Sequence, residues 1–261
     1  MSFDVVMIGG GNMGGALLGG MIDSGSFEAE AVAVVEVRAE RRAELAERWP
    51  GLTVAAEVPA CTGAVVAVKP NDVPSAVSTA VSAGATRVLS IAAGVSLATL
   101  EEAAGPGVGV VRAMPNTPAL VGEGVAAISG GASAGDDDLG WATTILGSVG
   151  IVEVLAEPLL DVVTGVAGSG PAYLFLVAEA MTDAAVAQGL ARSTAVRIVN
   201  QLFLGSSTLL ARDGDASALR VAVTSPGGTT AAGLARLEEH AVRSAFAAAV
   251  EAATSRSRDL A

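Results

Sequence analysis

The sequence has little of the side-chain chemistry that active sites often use, since its 261 residues include one histidine, His240, and one cysteine, Cys61. Two such residues are too few for a His/Cys metal cluster. His240 stands at the end of a predicted helix and is interpreted as a cap, and Cys61 as a packing residue. We therefore expect no Ser-His-Asp triad and no Cys-His dyad, and we expect a bound cofactor to carry the chemistry. A single cysteine excludes an intramolecular disulfide, which fits a reducing cytosol.

Charge is also scarce, with 16% charged against 51% hydrophobic residues, and 15 basic against 27 acidic side chains give a net charge of -12. This balance argues against binding to DNA or to anionic membranes through bulk electrostatics. No targeting segment precedes the first strand pattern at Phe3. The longest uncharged stretch, Val162–Ala178, contains glycines and Pro171 and is predicted to be too broken for a membrane span. We expect a soluble, cytoplasmic protein with neither nucleic acid nor membrane as a partner.

A glycine-rich run follows the first strand pattern, Phe3–Ile8. It reads Gly9-Gly10-Gly11-Asn12-Met13-Gly14 and leads into a helical pattern that ends near Ile22. A G-x-G-x-x-G run between a strand and a helix is typical of dinucleotide binding. Its first glycine would make the tight turn, its third would let a pyrophosphate approach, and its last would let helix and strand pack closely. The alternative is a glycine-rich turn without a ligand.

The charges after the second strand pattern, Ala31–Val35, give two conflicting indications of the nucleotide. Glu36 stands where an acid usually binds the ribose 2′-hydroxyl of NAD. Arg38, Arg41 and Arg42 follow at once, and an arginine at this place can accept the 2′-phosphate of NADP. In a third interpretation all four are solvated charges at the start of the predicted helix Ala39–Trp49.

Strand and helix patterns alternate through the first half of the chain. Further strands are predicted at Leu52–Val54, Ala64–Val68, Val88–Ile91, Val108–Val111, Val125–Ser129 and Ile151–Val154, and helices near Val73–Ser82, Leu97–Ala103 and after Asp136-Asp137-Asp138. This alternation predicts an α/β fold whose N-terminal part, residues 1–157, is a doubly wound, parallel Rossmann domain. The carboxyl ends of its strands should face the cofactor.

After Glu157 the patterns are helical, and residues 158–261 are predicted to form an all-α domain. Its predicted helices are Pro171–Gln188, Ser193–Ala211, Thr229–His240 and Arg243–Leu260. The run Tyr173–Val177 is apolar on more than one face, and such a helix needs burial on every side. A second subunit is the simplest source of that burial, so we expect at least a dimer.

The segment Ser225-Pro226-Gly227-Gly228-Thr229-Thr230 precedes one of these helices. Backbone N–H groups that open a helix have no partner within it, so they are suited to bind an anion. The two threonine hydroxyls add neutral donors and acceptors beside it. We expect a small anionic substrate here, with the alternative that Thr229 and Thr230 only cap the helix.

Taken together, these segments resemble the pyrroline-5-carboxylate reductase family over nearly the whole chain. The motifs that carry the resemblance are the run Gly9–Gly14, Ala67-Val68-Lys69-Pro70, Ser90-Ile91-Ala92-Ala93-Gly94-Val95, Arg112-Ala113-Met114-Pro115-Asn116-Thr117-Pro118, Gly168-Ser169-Gly170-Pro171-Ala172-Tyr173 and Ser225–Thr230. The resemblance implies NADPH or NADH as the cofactor, a cyclic imine as the substrate, and an intertwined homodimer that often assembles further.

With the residue chemistry above, the resemblance assigns candidate site residues. The candidates for cofactor binding are Ile8, Gly9, Gly10, Gly11, Asn12, Met13, Gly14, Glu36, Arg38, Ala67, Val68, Lys69, Pro70, Ile91, Ala92 and Ala93. The candidates for substrate binding are Ser225, Gly227, Gly228, Thr229, Thr230 and Asn116. By the same resemblance, the Thr230 hydroxyl hydrogen-bonds the imine nitrogen and is the catalytic candidate. No metal site is expected.

The chain departs from the family pattern in two places. Many relatives carry His-Pro and Lys-Asp pairs before the substrate segment, but here Arg220 stands for the lysine and Val221 for the aspartate. Some relatives have an asparagine near Ala55 that contacts the adenosine, and this chain has none. These changes leave the finer contacts and the preference between NADPH and NADH open.

Three other functions compete with this one. A β-hydroxyacid dehydrogenase would need a lysine where Leu174 stands. A reductase of a related cyclic imine amino acid stays open. So does a dinucleotide-binding sensor without turnover, although a sensor has no need of a substrate-binding segment.

Overall fold

The computed structural model describes residues 2–260, which form one eight-stranded sheet and a series of helices. The strands are β1 Phe3–Ile8, β2 Val32–Val35, β3 Thr53–Ala55, β4 Cys61–Val66, β5 Arg87–Ser90, β6 Gly109–Met114, β7 Gly124–Gly130 and β8 Gly150–Val154. Their order in the sheet is β3-β2-β1-β4-β5-β6-β7-β8. The first strand was predicted with these bounds, and most of the others within two residues.

The helices alternate with the strands and then continue alone. They are α1 Asn12–Asp23, α2 Ala39–Arg48, α3 Val73–Ser82, α4 Leu97–Ala104, α5 Asp136–Gly147, α6 Glu157–Val163, α7 Gly170–Ala187, α8 Arg192–Asp213, α9 Ala216–Ala222, α10 Thr229–Glu239 and α11 Val242–Arg258. Among the described residues no strand follows β8, as predicted. The short helix α9 was not predicted, although Asp215 caps it by accepting a hydrogen bond from the Ala218 N–H at 2.9 Å.

The sheet is covered on both faces, which confirms the doubly wound Rossmann arrangement. Successive residues of β1 point to opposite sides: Val5 and Met7 join a core with α1, α2 and α5, whereas Val6 and Ile8 join a core with α3 and α4. A strand buried on both faces reads as a continuous apolar run, and residues Val5–Ile8 of β1 have this character in the sequence.

One expectation about the sheet is wrong. Strands β1 to β6 are parallel as predicted, but β7 runs antiparallel to β6, and β8 runs parallel to β7. Only the nine residues between Met114 and Gly124 separate β6 from β7. A parallel return needs a crossover of about a dozen residues or more, so this shorter connection reverses the chain instead.

Pairing of the parallel strands brings several carboxyl ends to one edge of the sheet. Ile8 pairs with Val35 on one side and with Val66 on the other, and Val66 pairs with Ser90. The segments that begin at Gly9, Glu36, Ala67 and Ile91 therefore leave the sheet side by side, which is where ligands bind in open α/β sheets.

The stretch Val162–Ala178, which was predicted to be too broken for a membrane span, is helical over nearly all of its length. A π-helix, Thr164–Gly168, follows α6 directly, and α7 begins two residues later. Pro171 lies in the first turn of α7, where its missing N–H costs no helical hydrogen bond. The resulting helical stretch, Glu157–Ala187, is long and apolar enough to cross a membrane by length and composition alone.

The chain divides into two compact units. One runs to Gly168 and takes in the chain again from Ala252, and it contains the sheet. The other is Ser169–Glu251 and is helical. In this second unit α7 and α8 expose large apolar side chains in the single chain, among them Phe175, Leu176, Ile198 and Leu204. This agrees with the expectation that these helices need a further covering surface.

Candidate active site

The glycine run after β1 makes a turn that other residues cannot make. Gly9 has φ +108°, and a Cβ there would lie 2.5 Å from the Ala67 carbonyl oxygen. A Cβ on Gly14 would overlap the Gly9 carbonyl oxygen. The turn at Gly9 and the close approach of α1 to the strand end thus have the geometry that was predicted for the first and last glycines.

Gly11 differs from these two glycines because a Cβ there would meet nothing within 4 Å. It is the N-cap residue of α1, with φ −66° and no side-chain cap. The first-turn N–H groups of α1 therefore open onto free space at the carboxyl edge of the sheet. An open approach to a helix start fits the diphosphate of a dinucleotide.

Glu36 follows β2 and is 6% exposed. Its Oε1 accepts hydrogen bonds from the Arg38 backbone N–H at 3.0 Å and from Arg38 Nε at 3.3 Å. Burial opposes ionisation of the carboxyl. The hydrogen bonds and charge of Arg38, with a further hydrogen bond from the Gly10 backbone, outweigh it, so the pKa of Glu36 lies below its ordinary value. The acid at this position is therefore ionised at neutral pH.

Arg41 and Arg42, which are neighbours in α2, make different contacts. Arg41 Nε donates to the Gly10 carbonyl oxygen at 2.8 Å, and Arg41 also pairs with Glu44 at 2.8 Å. Arg42 NH1 donates to the carbonyl oxygens of Glu36 and Val37 and so closes the loop after β2. Of the three arginines that follow Glu36, Arg41 is thus the one fixed at the glycine turn. In the sequence, Arg41 was a candidate for nucleotide binding only because it lies a few positions after the second strand.

The loops after β4 and β5 complete this edge. The Ala67 N–H donates to the Ile8 carbonyl oxygen at 2.8 Å, and the chain then passes through exposed Lys69 and Pro70. Ile91 and Ala92 have buried side chains, whereas Ala93 is exposed. The candidate cofactor residues of the first unit therefore come together, those at Ile91 and Ala92 through their backbone rather than their side chains.

Asn116 follows β6, and its side chain makes two hydrogen bonds to the backbone of neighbouring segments. Its Nδ2 donates to the Ala167 carbonyl oxygen at 3.1 Å, and its Oδ1 accepts from the Val125 N–H at 2.9 Å. It is 8% exposed. The side chain thus ties the end of β6 to the start of β7 and to the π-helix. Its predicted contact with the substrate stays a prediction.

The segment Ser225–Thr230 lies in the helical unit and forms a tight turn before α10. Gly227 has φ +67°, and the Gly228 N–H donates to the Ser225 carbonyl oxygen at 3.0 Å. A Cβ on Gly228 would overlap Ser225 Oγ, so both glycines are required by the turn. Gly228 is the N-cap residue, which makes Thr229 and Thr230 the first two residues of the helix rather than its cap.

The structure places the remaining two singled-out residues as expected. His240 is the C-cap residue of α10, and its backbone N–H donates to the Arg236 carbonyl oxygen. Cys61 is 2% exposed, and burial raises the pKa of its thiol. A buried thiol that resists ionisation is a poor nucleophile, so Cys61 acts as a packing residue.

Both halves of the chain match known families. Residues 157–260 match the family model described as pyrroline-5-carboxylate reductase dimerisation. Residues 4–94 match the model described as NADP oxidoreductase, coenzyme F420-dependent. The first match covers the helices with exposed apolar faces, and the second covers the glycine turn and the loops after β2, β4 and β5.

Individual proteins are similar over the whole length. A pyrroline-5-carboxylate reductase of Corynebacterium melassecola is 38% identical over 98% of this chain and 98% of its own. The structure of a pyrroline-5-carboxylate reductase from Coxiella burnetii superposes with a TM-score of 0.93 at 29% identity, covering 100% of this chain and 99% of that one. A pyrroline carboxylate reductase of Plasmodium falciparum with NADP bound has a TM-score of 0.84 at 29% identity, covering 99% and 98%.

Proposed function

The chain belongs to the pyrroline-5-carboxylate reductase family. On that basis we propose which of its residues bind the cofactor, which bind the substrate and which take part in catalysis. The enzyme is an oxidoreductase that reduces the cyclic imine L-1-pyrroline-5-carboxylate to L-proline, the last step of proline biosynthesis, with NADPH. When bound, the nicotinamide supplies the hydride that the imine carbon accepts. We propose that NADH also serves, since Glu36 is suited to a free ribose 2′-hydroxyl.

The carboxyl edge of the sheet binds the dinucleotide in this proposal. The first turn of α1 takes the diphosphate, because Gly11 leaves open space above its N–H groups. Glu36 and Arg38 bind the ribose of the adenosine, and Arg41 adds positive charge beside Gly10. The loops Ala67–Pro70 and Ile91–Ala93 border the rest of the cofactor with backbone groups.

The turn at Ser225–Thr230 binds the substrate carboxylate, and its geometry is the observation that carries this part of the proposal. The positive φ of Gly227 and the N-cap position of Gly228 turn the backbone so that the N–H groups of Gly227 and Thr229 stand at the start of α10, while the Gly228 N–H closes the turn on Ser225. A helix start binds anions through such N–H groups and through its dipole. Gly228 contributes nothing but backbone, so a carboxylate can approach closely.

Thr230 has the catalytic role in this arrangement. It is partly buried in the first turn of α10, beside the N–H groups that would bind the carboxylate. Its hydroxyl hydrogen-bonds the imine nitrogen and so fixes the face that the hydride attacks. A cyclic imine nitrogen is basic enough to arrive protonated, so the protein needs no strong acid. Orientation of the two reactants then supplies most of the rate enhancement.

The dimerisation domain indicates that the protein forms homo-oligomers. We propose that residues 1–157 form the cofactor domain and residues 158–261 the substrate and dimerisation domain, whose residues up to Gly168 and from Ala252 pack with the sheet. An intertwined dimer is the unit of assembly in this proposal, and higher oligomers are built from it. Phe175 and Leu176 on α7 are 66% and 65% exposed in the single chain. A second subunit, rather than a membrane, covers them in this proposal, and the protein acts in the cytoplasm without nucleic acid.

The test of this proposal replaces Thr230 by alanine and by serine. Thr230→Ala should lower kcat by roughly ten- to a thousandfold, the range of a lost polarising contact. Thr230→Ser keeps the hydroxyl and should retain most of the activity. Steady-state kinetics with NADPH and pyrroline-5-carboxylate measure both. Unchanged kcat in Thr230→Ala would remove this side chain from the mechanism.

A further inference from the structure

A buried arginine of the sheet binds two acids that lie far from it in the sequence. Arg112, on β6, is 5% exposed. Its NH1 lies 2.8 Å from Glu157 Oε1, and its NH2 lies 3.6 Å from Asp161 Oδ1. Both acids belong to α6. A guanidinium held by two carboxylates in a buried place has a fixed position, because moving it would leave buried charges unpaired.

The first of these acids also holds the loop that follows β5. Glu157 Oε1 accepts a hydrogen bond from the Leu97 N–H at 2.7 Å. Leu97 is the first residue of α4, directly after the loop of residues 91–96. The loop that carries the candidate cofactor residues Ile91, Ala92 and Ala93 is therefore anchored at its far end to the carboxylate that binds Arg112.

The second acid binds the end of α11. Ser257 Oγ donates to Asp161 Oδ1 at 2.8 Å, and both residues are buried. Ser257 is near the end of α11, whose last residues belong to the same compact unit as the sheet. The hydroxyl thus fixes the final helical turn against α6.

This final turn reaches the middle of the same loop. Gly94 has φ +72°, and a Cβ there would lie 3.1 Å from the Leu260 carbonyl oxygen and 3.3 Å from Leu260 Cβ. Leu260, which follows Ser257 by less than one turn and is itself 57% exposed, therefore lies beside the backbone of Gly94. The loop is thus hydrogen-bonded to Glu157 at its end and lies close to Leu260 at its middle.

We propose that the segment Ser257–Leu260, at the end of α11, positions the cofactor loop. The hydrogen bond between Ser257 and Asp161 fixes this segment, and Leu260 packs beside Gly94. The backbone from Ile91 to Ala93 is thereby kept in the position that the dinucleotide requires. Sites lose affinity when the residues behind the contacting groups are loosened. The inference rests on the proposed function, because it takes the loop to be a cofactor contact.

Two variants loosen this segment in different ways. Ser257→Ala removes the hydrogen bond to Asp161, and a chain that ends at Asp259 removes Leu260 from beside Gly94. Ser255→Ala is the matched control, since Ser255 is an exposed serine on the same helix. Ser257→Thr retains the hydroxyl and should restore the behaviour of the unaltered chain. All variants are compared as the oligomer isolated by gel filtration.

The measurement is the Kd of NADPH from a fluorescence titration without substrate, beside kcat at saturating NADPH and the Tm. The two variants should raise Kd about three- to tenfold while kcat at saturation stays within about twofold. Ser255→Ala and Ser257→Thr should not change Kd. An unchanged Kd in both variants would overturn the inference, including the case in which only Tm falls. Failure of the unaltered chain to bind NADPH would instead contradict the cofactor assignment, and the inference with it.

Discussion

The Glu36 carboxylate accepts two hydrogen bonds from Arg38, one from the backbone N–H at 3.0 Å and one from Nε at 3.3 Å. Residues of opposite charge thus lie together at the position where the sequence gives conflicting indications of the nucleotide. The buried, ionised acid suits a ribose 2′-hydroxyl, whereas the exposed guanidinium of Arg38 suits a 2′-phosphate. The pair gives a physical reason to expect use of both NADPH and NADH.

Removing the negative charge of this pair should shift the preference. Glu36→Gln retains a hydrogen-bonding group but no longer repels a 2′-phosphate, so the ratio of kcat/KM for NADPH to that for NADH should rise about tenfold. Initial rates with each cofactor at fixed pyrroline-5-carboxylate give the ratio. Glu40→Gln is the control, because it removes an exposed acid from the first turn of α2. Equal ratios in Glu36→Gln and the unaltered chain would show that Glu36 does not contact the nucleotide.

A substitution at Gly11 should weaken the binding of NADPH without destabilising the fold. Alanine fits its φ of −66°, and a Cβ would meet no protein atom within 4 Å. The added methyl group would stand where the diphosphate approaches, so Gly11→Ala should raise the Kd of NADPH by about tenfold or more. The Tm should stay within about 4 °C.

The matched control for this change is Gly140→Ala, at an exposed helical glycine with the same open space around it. It should leave the Kd of NADPH unaltered. Unchanged affinity in Gly11→Ala would mean that the diphosphate does not lie over the start of α1.

The sequence predicted the elements of the fold better than their directions and long-range contacts. The six parallel strands and the long helices followed from apolar periodicity and from glycines with required positions, such as Gly9 and Gly14. The reversal of β7 depends on the length of its connection, which a local strand pattern does not contain. The contacts of Arg112 with Glu157, and of Ser257 with Asp161, join residues 45 and 96 positions apart. No local pattern in the sequence indicates such pairs.

The candidate site was predictable to a similar extent. The turn Ser225–Thr230 was found because two glycines stand before a helical pattern, and the structure gives each glycine a required place in the turn. Asn116 was selected from its motif alone. Its hydrogen bonds to Ala167 and Val125 could not be foreseen, since they depend on how β6, β7 and the π-helix meet.

The exposed apolar face of α7 predicts a change in assembly on substitution. Phe175→Glu places a charge on a side chain that a second subunit should bury, so the dimer should dissociate at micromolar concentration. Light scattering measures the mass directly. Ile151→Glu is the control, because Ile151 is similarly exposed on the edge strand β8 and should leave the mass unchanged. A monomeric unaltered chain at that concentration would contradict the dimer.

The most direct measurement of the central claim is NADPH oxidation by the unaltered protein with a panel of substrates. The panel contains L-1-pyrroline-5-carboxylate, piperideine-2-carboxylate and, in the reverse direction with NADP, a 3-hydroxyacid. We expect the highest kcat/KM with pyrroline-5-carboxylate, with L-proline as the product. Higher activity with the six-membered imine would assign the enzyme to a related substrate. Activity with the hydroxyacid alone, or NADPH binding without turnover of any substrate, would contradict the account.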